Sequence, residues 1–240
     1  MYERPLSDVP KAVLATLLLA FALQLTGKAL QDPPRARASD LDSAPSKTAL
    51  QLAGFGDPLP IAKLLMLHLQ AFDLQGANQI TYRELDYDRL RDWLGRIIEL
   101  DPAGQYPLHA ASRIYAEVPD QSRQRKMLEF VYNAFFADPD RRWRWLAHAA
   151  VIAKHQLKDL PLAQRYAAAI QQHAKGPDVP QWARQMEAFI LEDMNELETA
   201  RIMIGGFIAS GDVTEPGELR FLEERLKQIE VRLQSQKQKH

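Results

Sequence analysis

No cysteine occurs in the 240 residues. Disulfides, thiolate metal sites and a cysteine nucleophile are thereby excluded. A surplus of positive charge is missing too: 30 basic residues face 31 acidic ones, a formal charge of −1. A general nucleic-acid binder needs a basic excess, so no nucleic-acid partner is expected. Sustained period-two alternation of apolar residues, the mark of half-buried strands, is not found from residue 49 onward. Motifs of catalysis are also lacking. There is no HExxH pair, no GxSxG elbow, no phosphate-binding glycine loop and no dinucleotide fingerprint. No cofactor or metal is expected on these grounds. What is present suits a folded chain: 46% of residues are apolar and 25% charged, enough to bury a core.

The longest apolar run lies near the start. Residues 12–27, AVLATLLLAFALQLTG, carry no charge and are bracketed by Lys11 and Lys28. As a helix these 16 residues reach about 24 Å, against a hydrocarbon core of roughly 30 Å. Snorkelling of both lysines would close the gap. Three readings compete: an uncleaved membrane anchor, a cleaved signal peptide and a buried helix. The residues before the run are not strongly basic, since Glu3 and Asp8 offset Arg4 and Lys11. The small-residue site Ala36-Arg37-Ala38 lies far beyond the run for cleavage. The favoured expectation is an anchor over residues 1–30, a single transmembrane helix in a bacterial inner membrane with the body on the periplasmic side. Residues 31–48 include Pro33, Pro34 and Pro45 among Ser, Asp and Arg, a composition that reads as a flexible tether.

The body, residues 49–217, repeats apolar positions at helical spacing. Leu64, Leu65, Leu67 and Leu69 mark a first helix. Leu90, Trp93, Leu94 and Ile97 mark a second. Six more follow, marked by Ala111, Met127, Trp143, Ala163, Trp182 and Ala200 with their neighbours. Asp101-Pro102, Asp138-Pro139, Gly176-Pro177 and Gly211 close helical runs. Asp140 and Asp159 are placed as N-caps, and Pro161 falls in a first turn. Pro102, Pro139, Pro177 and Pro216 are spaced by 37, 38 and 39 residues, and Trp145 precedes Trp182 by 37. Two helices per unit at such a period suggest an α-solenoid, because one helix pair cannot cover its own apolar face.

The segment YDRLRDWLGRIIELDP, residues 87–102, resembles the second helix and closing turn of a tetratricopeptide repeat, whose units end in an aspartate-proline turn as Asp101-Pro102 and Asp138-Pro139 do. The units here exceed the family's length of about 34 residues. Leu90 and Met127 stand where the family expects a small residue, and its first-helix tryptophan and glycine signature is absent. The chain is thus similar to a degenerate tetratricopeptide-like array. As a whole it resembles membrane-anchored helical-repeat proteins of Gram-negative bacteria. The resemblance implies an all-α fold of antiparallel helix pairs and a scaffold or assembly role with a protein partner. Rival readings are an enzyme on a helical-repeat scaffold and a structural subunit of a membrane complex.

In residues 218–240, Leu219, Leu222, Leu226, Ile229 and Leu233 form a seam of about two heptads. The expectation is a capping helix over the last pair, with homodimerisation through that seam as the alternative.

Candidate binding residues come from one helix. Taken at 100° per residue, Arg141, Arg144, His148 and His155 fall within about 60° of one another, opposite Trp143, Leu146 and Ala150. Such a stripe suits an acidic peptide or a lipid headgroup, and a solvated helix face is the plain alternative. Arg beside Trp143 and Trp145 also suits base stacking, which the overall charge opposes. Residues 73–84, DLQGANQITYRE, echo a calcium loop, but Gln75, Ala77 and Asn78 stand where ligands and the turn glycine belong. His148 and His155 are seven residues apart, about 10 Å along a helix, too far to share an ion. Gly205-Gly206 is expected to permit close helix packing.

Overall fold

The computed structural model describes residues 10–30, 41–72 and 81–237. Among the described residues the fold is all-α, with eleven α-helices and no strand. These are α1 (Lys11–Leu30), α2 (Lys47–Ala53), α3 (Pro58–Gln70), α4 (Tyr87–Leu100), α5 (Tyr106–Ala110), α6 (Gln121–Phe135), α7 (Pro139–His155), α8 (Leu160–His173), α9 (Gln181–Asp193), α10 (Leu197–Ser210) and α11 (Pro216–Lys237). A 3-10 turn covers Tyr82–Glu84, and a π turn, Ala111–Tyr115, continues α5. Residues 73–80, most of the calcium-loop echo, lie outside the described residues, as do residues 31–40.

Aspartate starts four of these helices. Asp57, Asp86, Asp120 and Asp159 each accept one or two backbone N–H bonds in the first turn of α3, α4, α6 and α8. Each such cap is worth about 1 kcal/mol, because it satisfies donors that have no partner inside the helix. Gly211 ends α10 with φ +72°, a left-handed conformation that glycine adopts without steric cost. Asp140 departs from its expected capping role. Asp138 occupies the cap position of α7, and Asp140 sits inside the first turn, where its Oδ1 accepts the Gly176 N–H at 2.7 Å. A Cβ at Gly176 would lie 2.8 Å from the Asp140 carboxyl carbon, so this bond requires glycine. Gly205 and Gly206 are not required in that way: a Cβ at either meets nothing within 4 Å, and close packing is not their role.

Helices pack on their neighbours in the chain, and several also reach the helix after next. α4 touches α6, the segment of α5 and its π turn touches α7, and α7 touches α9. The main core runs through these contacts. It includes Leu90, Leu94, Leu108, Met127, Phe135, Leu146, Tyr166 and Ile170, all without solvent exposure. Burial of each large side chain contributes about 1.5–3 kcal/mol. Polar contacts cross the same distance. Lys126 pairs with Asp88, Trp145 with Gln105, Arg165 with Glu129 and Arg232 with Glu192, at sequence separations of 38, 40, 36 and 40.

One end of the body departs from expectation, and the other follows the expected capping helix rather than its dimer alternative. Residues 41–48 fall in the stretch that reads as a tether, yet Leu41 is fully buried. Arg89 donates to the Leu41 carbonyl at 2.8 Å, and the Trp93 indole donates to the Asp42 carbonyl at 2.7 Å. Loop composition lowers the tendency to form helix, but it does not prevent docking once an Arg and a Trp supply donors. At the other end, the α11 seam turns inward. Leu222 and Ile229 are fully buried in a second cluster with Ala188, Leu197, Ala200 and Ile204, and Leu219, Leu226 and Leu233 pack against it. Buried Glu192 on α9 accepts from Arg225 at 2.7 Å and Arg232 at 2.6 Å, which ties α11 down. The seam therefore covers α9 and α10 of its own chain.

The N-terminal helix is a correction. Among the described residues no helix is long and apolar enough to cross a membrane. The charge-free stretch of α1 is 16 residues, about 24 Å, between Lys11 and Lys28. The expected transmembrane helix is not found. α1 instead presents Leu17, Leu18, Leu19, Phe21, Leu23 and Leu25 as exposed side chains.

Arg142 is the largest buried polar side chain, 2% exposed. Its guanidinium donates to the Ala134 carbonyl and, at 2.9 Å, to that of Pro102, so one side chain joins three segments. Hydrogen bonds from a charged donor each contribute about 1.5–3 kcal/mol net, and loss of the donor strands both carbonyls. Arg142→Met should therefore destabilise the chain by about 3 kcal/mol in urea unfolding. A loss below about 0.5 kcal/mol, the range of a neutral surface change, would show that the two bonds do not hold the segments together.

Candidate functional site

Three of the open concavities among the described residues bear on function. One, of about 450 Å³, lies between α4, α6 and residues 43–44, and its charges are already matched: Arg96 pairs with Glu99, and Arg91 with Asp92. A second, of about 420 Å³, lies between α3, α4 and α5 and is lined mostly by apolar groups such as Ala62, Met66, Leu67 and Pro107. The third, of about 310 Å³, combines an apolar floor with unmatched charge.

This third groove is built from the π turn, α7 and α9. The π turn supplies Arg113. Helix α7 supplies Trp143, Arg144, Trp145, Ala147, His148 and Val151. Helix α9 supplies Trp182 and Met186. The π turn forms where the Ala116 N–H reaches back five residues to the Ala111 carbonyl at 3.0 Å. Such turns are wider than an α-helix and recur at functional positions. On α7, residues 144, 148 and 151 are spaced by four and three, so all three face one way.

The aromatic side chains interlock across the helices. Trp143 meets Trp182 edge-on at 5.5 Å, and His109 meets Trp145 edge-on at 5.2 Å. Arg144 stacks over the Trp143 ring at 5.5 Å. The Trp145 indole donates to Gln105 at 2.8 Å, whereas the indole nitrogen of Trp143 is buried without a hydrogen-bond partner. Nε2 of His148 is in the same state, 3.9 Å from Oε1 of Glu117. Arg113 and Arg144 are exposed and form no ion pair among the described residues.

His148 is held below its usual pKa. Burial is the main cause, the Arg113 charge adds to it, Glu117 opposes it and His109 adds slightly. The imidazole is therefore neutral at pH 7, and within the groove the charge of the expected basic stripe rests on Arg144. The four sequence candidates separate accordingly. Arg144 and His148 meet in the groove. Arg141 lies one turn earlier and pairs with Asp138. His155 is exposed at the end of α7, outside the groove lining.

Sequence reading missed Arg113, Trp182 and the polar edge of Trp143. Trp143 and Trp182 are 39 residues apart and His109 and Trp145 are 36 apart, spacings near the 37 to 39 residues between the prolines. Among the described residues no group of three or more His, Asp or Glu is placed to hold a metal ion. No protein-family model matches the chain, and neither does any curated protein or solved structure.

A proton-linked effect follows from His148. Its folded pKa is depressed below the unfolded value of about 6.5. Above pH 6.5 both states are neutral there. Below it the unfolded chain binds a proton that the folded chain resists, so stability falls on acidification. His148→Gln should remove this loss. The stability of the natural chain relative to the variant should fall between pH 7.5 and pH 5.5 in urea unfolding. A constant or rising difference would contradict the assignment.

Proposed function

We propose that the protein is a non-catalytic scaffold or assembly factor that receives a protein partner in the tryptophan groove and is held at a membrane by α1. The observation that carries the reading is the groove itself, an open concavity with unmatched arginines on its rim and a buried indole N–H without an acceptor. An enzyme site calls for an enclosed cavity with converging acid–base groups. This groove is open, and besides two arginines its lining carries a single histidine, which is neutral.

The architecture proposed with it is a tetratricopeptide-like stack of helix pairs. Support comes from packing between a helix and the one after next, and from polar contacts that recur at separations of 36 to 40 residues. Such stacks present side chains of successive first helices along one surface, and the groove has that make-up. Membrane attachment is supported by the exposed leucines around α1. A helix that is apolar on all sides needs lipid or protein around it. A tether raises the local concentration of membrane partners, so modest contacts suffice.

Two experiments test the reading. A photo-crosslinking residue at Val151, exposed in the groove, should capture a discrete protein that also co-purifies with the full chain, and the same residue at Gln121 on α6 should not. A chain that purifies alone from both positions and turns over a small molecule contradicts the scaffold role. For the tether, the full chain should sediment with membranes through a high-salt wash. Leu18→Glu with Phe21→Glu should release it, since a charge in lipid costs about 2.5–3.5 kcal/mol. Sedimentation of the double variant with membranes, as for the natural chain, would rule out lipid burial of α1.

A further inference from the structure

We infer that the groove takes an acidic segment of the partner in which a carboxylate stands beside a large apolar side chain. The inference rests on the scaffold reading and specifies its ligand. Three features converge. The first is charge: Arg113 and Arg144 are exposed on the rim and form no ion pair among the described residues, while Glu117 is the neighbouring carboxylate, 3.9 Å from His148. With His148 neutral, the two guanidiniums leave a local excess of one positive charge. Guanidinium groups bind carboxylates through paired, charge-assisted hydrogen bonds.

The second feature is the unmet donor. Trp143 is only 8% exposed, and its indole N–H has no acceptor. A buried donor without a partner is destabilising, and the Trp143 ring lies in the groove lining, so its indole N–H reports on what fills the groove. The third is the apolar wall. Trp182 is 51% exposed and Val151 43%, and Met186 lies beside them. Half-exposed tryptophan beside arginine is the composition of interface hot spots. At about 310 Å³ the groove is at the small end of ligand sites, sized for one large side chain and its neighbouring carboxylate. A run of nucleotides asks for more positive charge than two arginines beside a glutamate supply. A flat lipid surface does not enter a concave groove.

The test uses the full-length chain in detergent with its four tryptophan indoles labelled with nitrogen-15. The probes are an acetylated pentapeptide, Ser-Glu-Phe-Glu-Ser amide, and its counterparts with Gln or Lys in place of both Glu. The acidic peptide should shift the Trp143 indole resonance saturably and bind at least tenfold tighter than the Gln peptide. Arg113→Glu with Arg144→Glu should reverse the preference toward the Lys peptide. Both arginines are exposed, and an unchanged melting temperature checks that the fold survives. Trp182→Ala should weaken all three peptides together. Equal binding of the acidic and Gln peptides overturns the inference. So does a thymidylate decamer, or a phosphatidylglycerol vesicle, that shifts the same resonance at lower concentration. Should Val151 capture a protein while the acidic peptide leaves Trp143 unmoved, this ligand assignment fails and the scaffold reading stands. Should the peptide bind while Val151 captures nothing, the ligand chemistry holds and the scaffold reading fails.

Discussion

Burial of apolar helix faces against neighbouring helices is the constraint on which the rest of the structure depends. α6 lies against α4 as well as α7, and α7 against α5, α8 and α9, and Met127, Phe135, Leu146 and Ala150 are all buried. The polar side chains follow the same rule. Arg142 reaches 40 residues back to the Pro102 carbonyl, and Asp140 reaches 36 forward to the Gly176 N–H. Burial and hydrogen bonds together thus join segments well apart in the chain. α11 packs on α10 and is clasped by Glu192 of α9 through Arg225 and Arg232.

This dependence also explains where a binding surface arises. Aromatic side chains from different helices meet one another across the helix contacts. Trp143 and Trp182 meet at such a contact, and so do His109 and Trp145. A preorganised aromatic surface gives up little freedom when it binds. The neutral state of His148 belongs to the same geometry, since burial between the units and the nearby Arg113 both oppose its protonation.

Much of the fold was legible from residue spacing. Leu90, Leu94 and Ile97 on α4, and Leu146 and Ala150 on α7, are buried as their helical spacing required. Asp159 caps α8 and Pro161 lies in its first turn. Legibility failed where tertiary partners decided. Asp140 had the sequence context of a cap but found a remote N–H. Residues 41–48 looked like tether and were docked by Arg89 and Trp93. The site was half legible: α7 alone gave Arg144 and His148, because one helix suffices to place them. Arg113 and Trp182 come from other units, and the short apolar code of a single helix holds no record of them. Trp143 was read as core, correctly by its burial, while the state of its N–H depends on which acceptors surround it.

If neighbouring units complete one another, protection from exchange should be graded along the chain. Native-state amide hydrogen exchange on the full-length protein measures this most directly. The expected result is greatest protection in α6, α7 and α8, which have neighbours on both sides, falling through α9 and α10 toward α11 and through α4 toward α2 and α3. Arg142→Met should lower protection on both sides of its seam. Equal protection across α2 to α11, lost in a single step, would contradict a structure held together by neighbour contacts and would favour one undivided bundle.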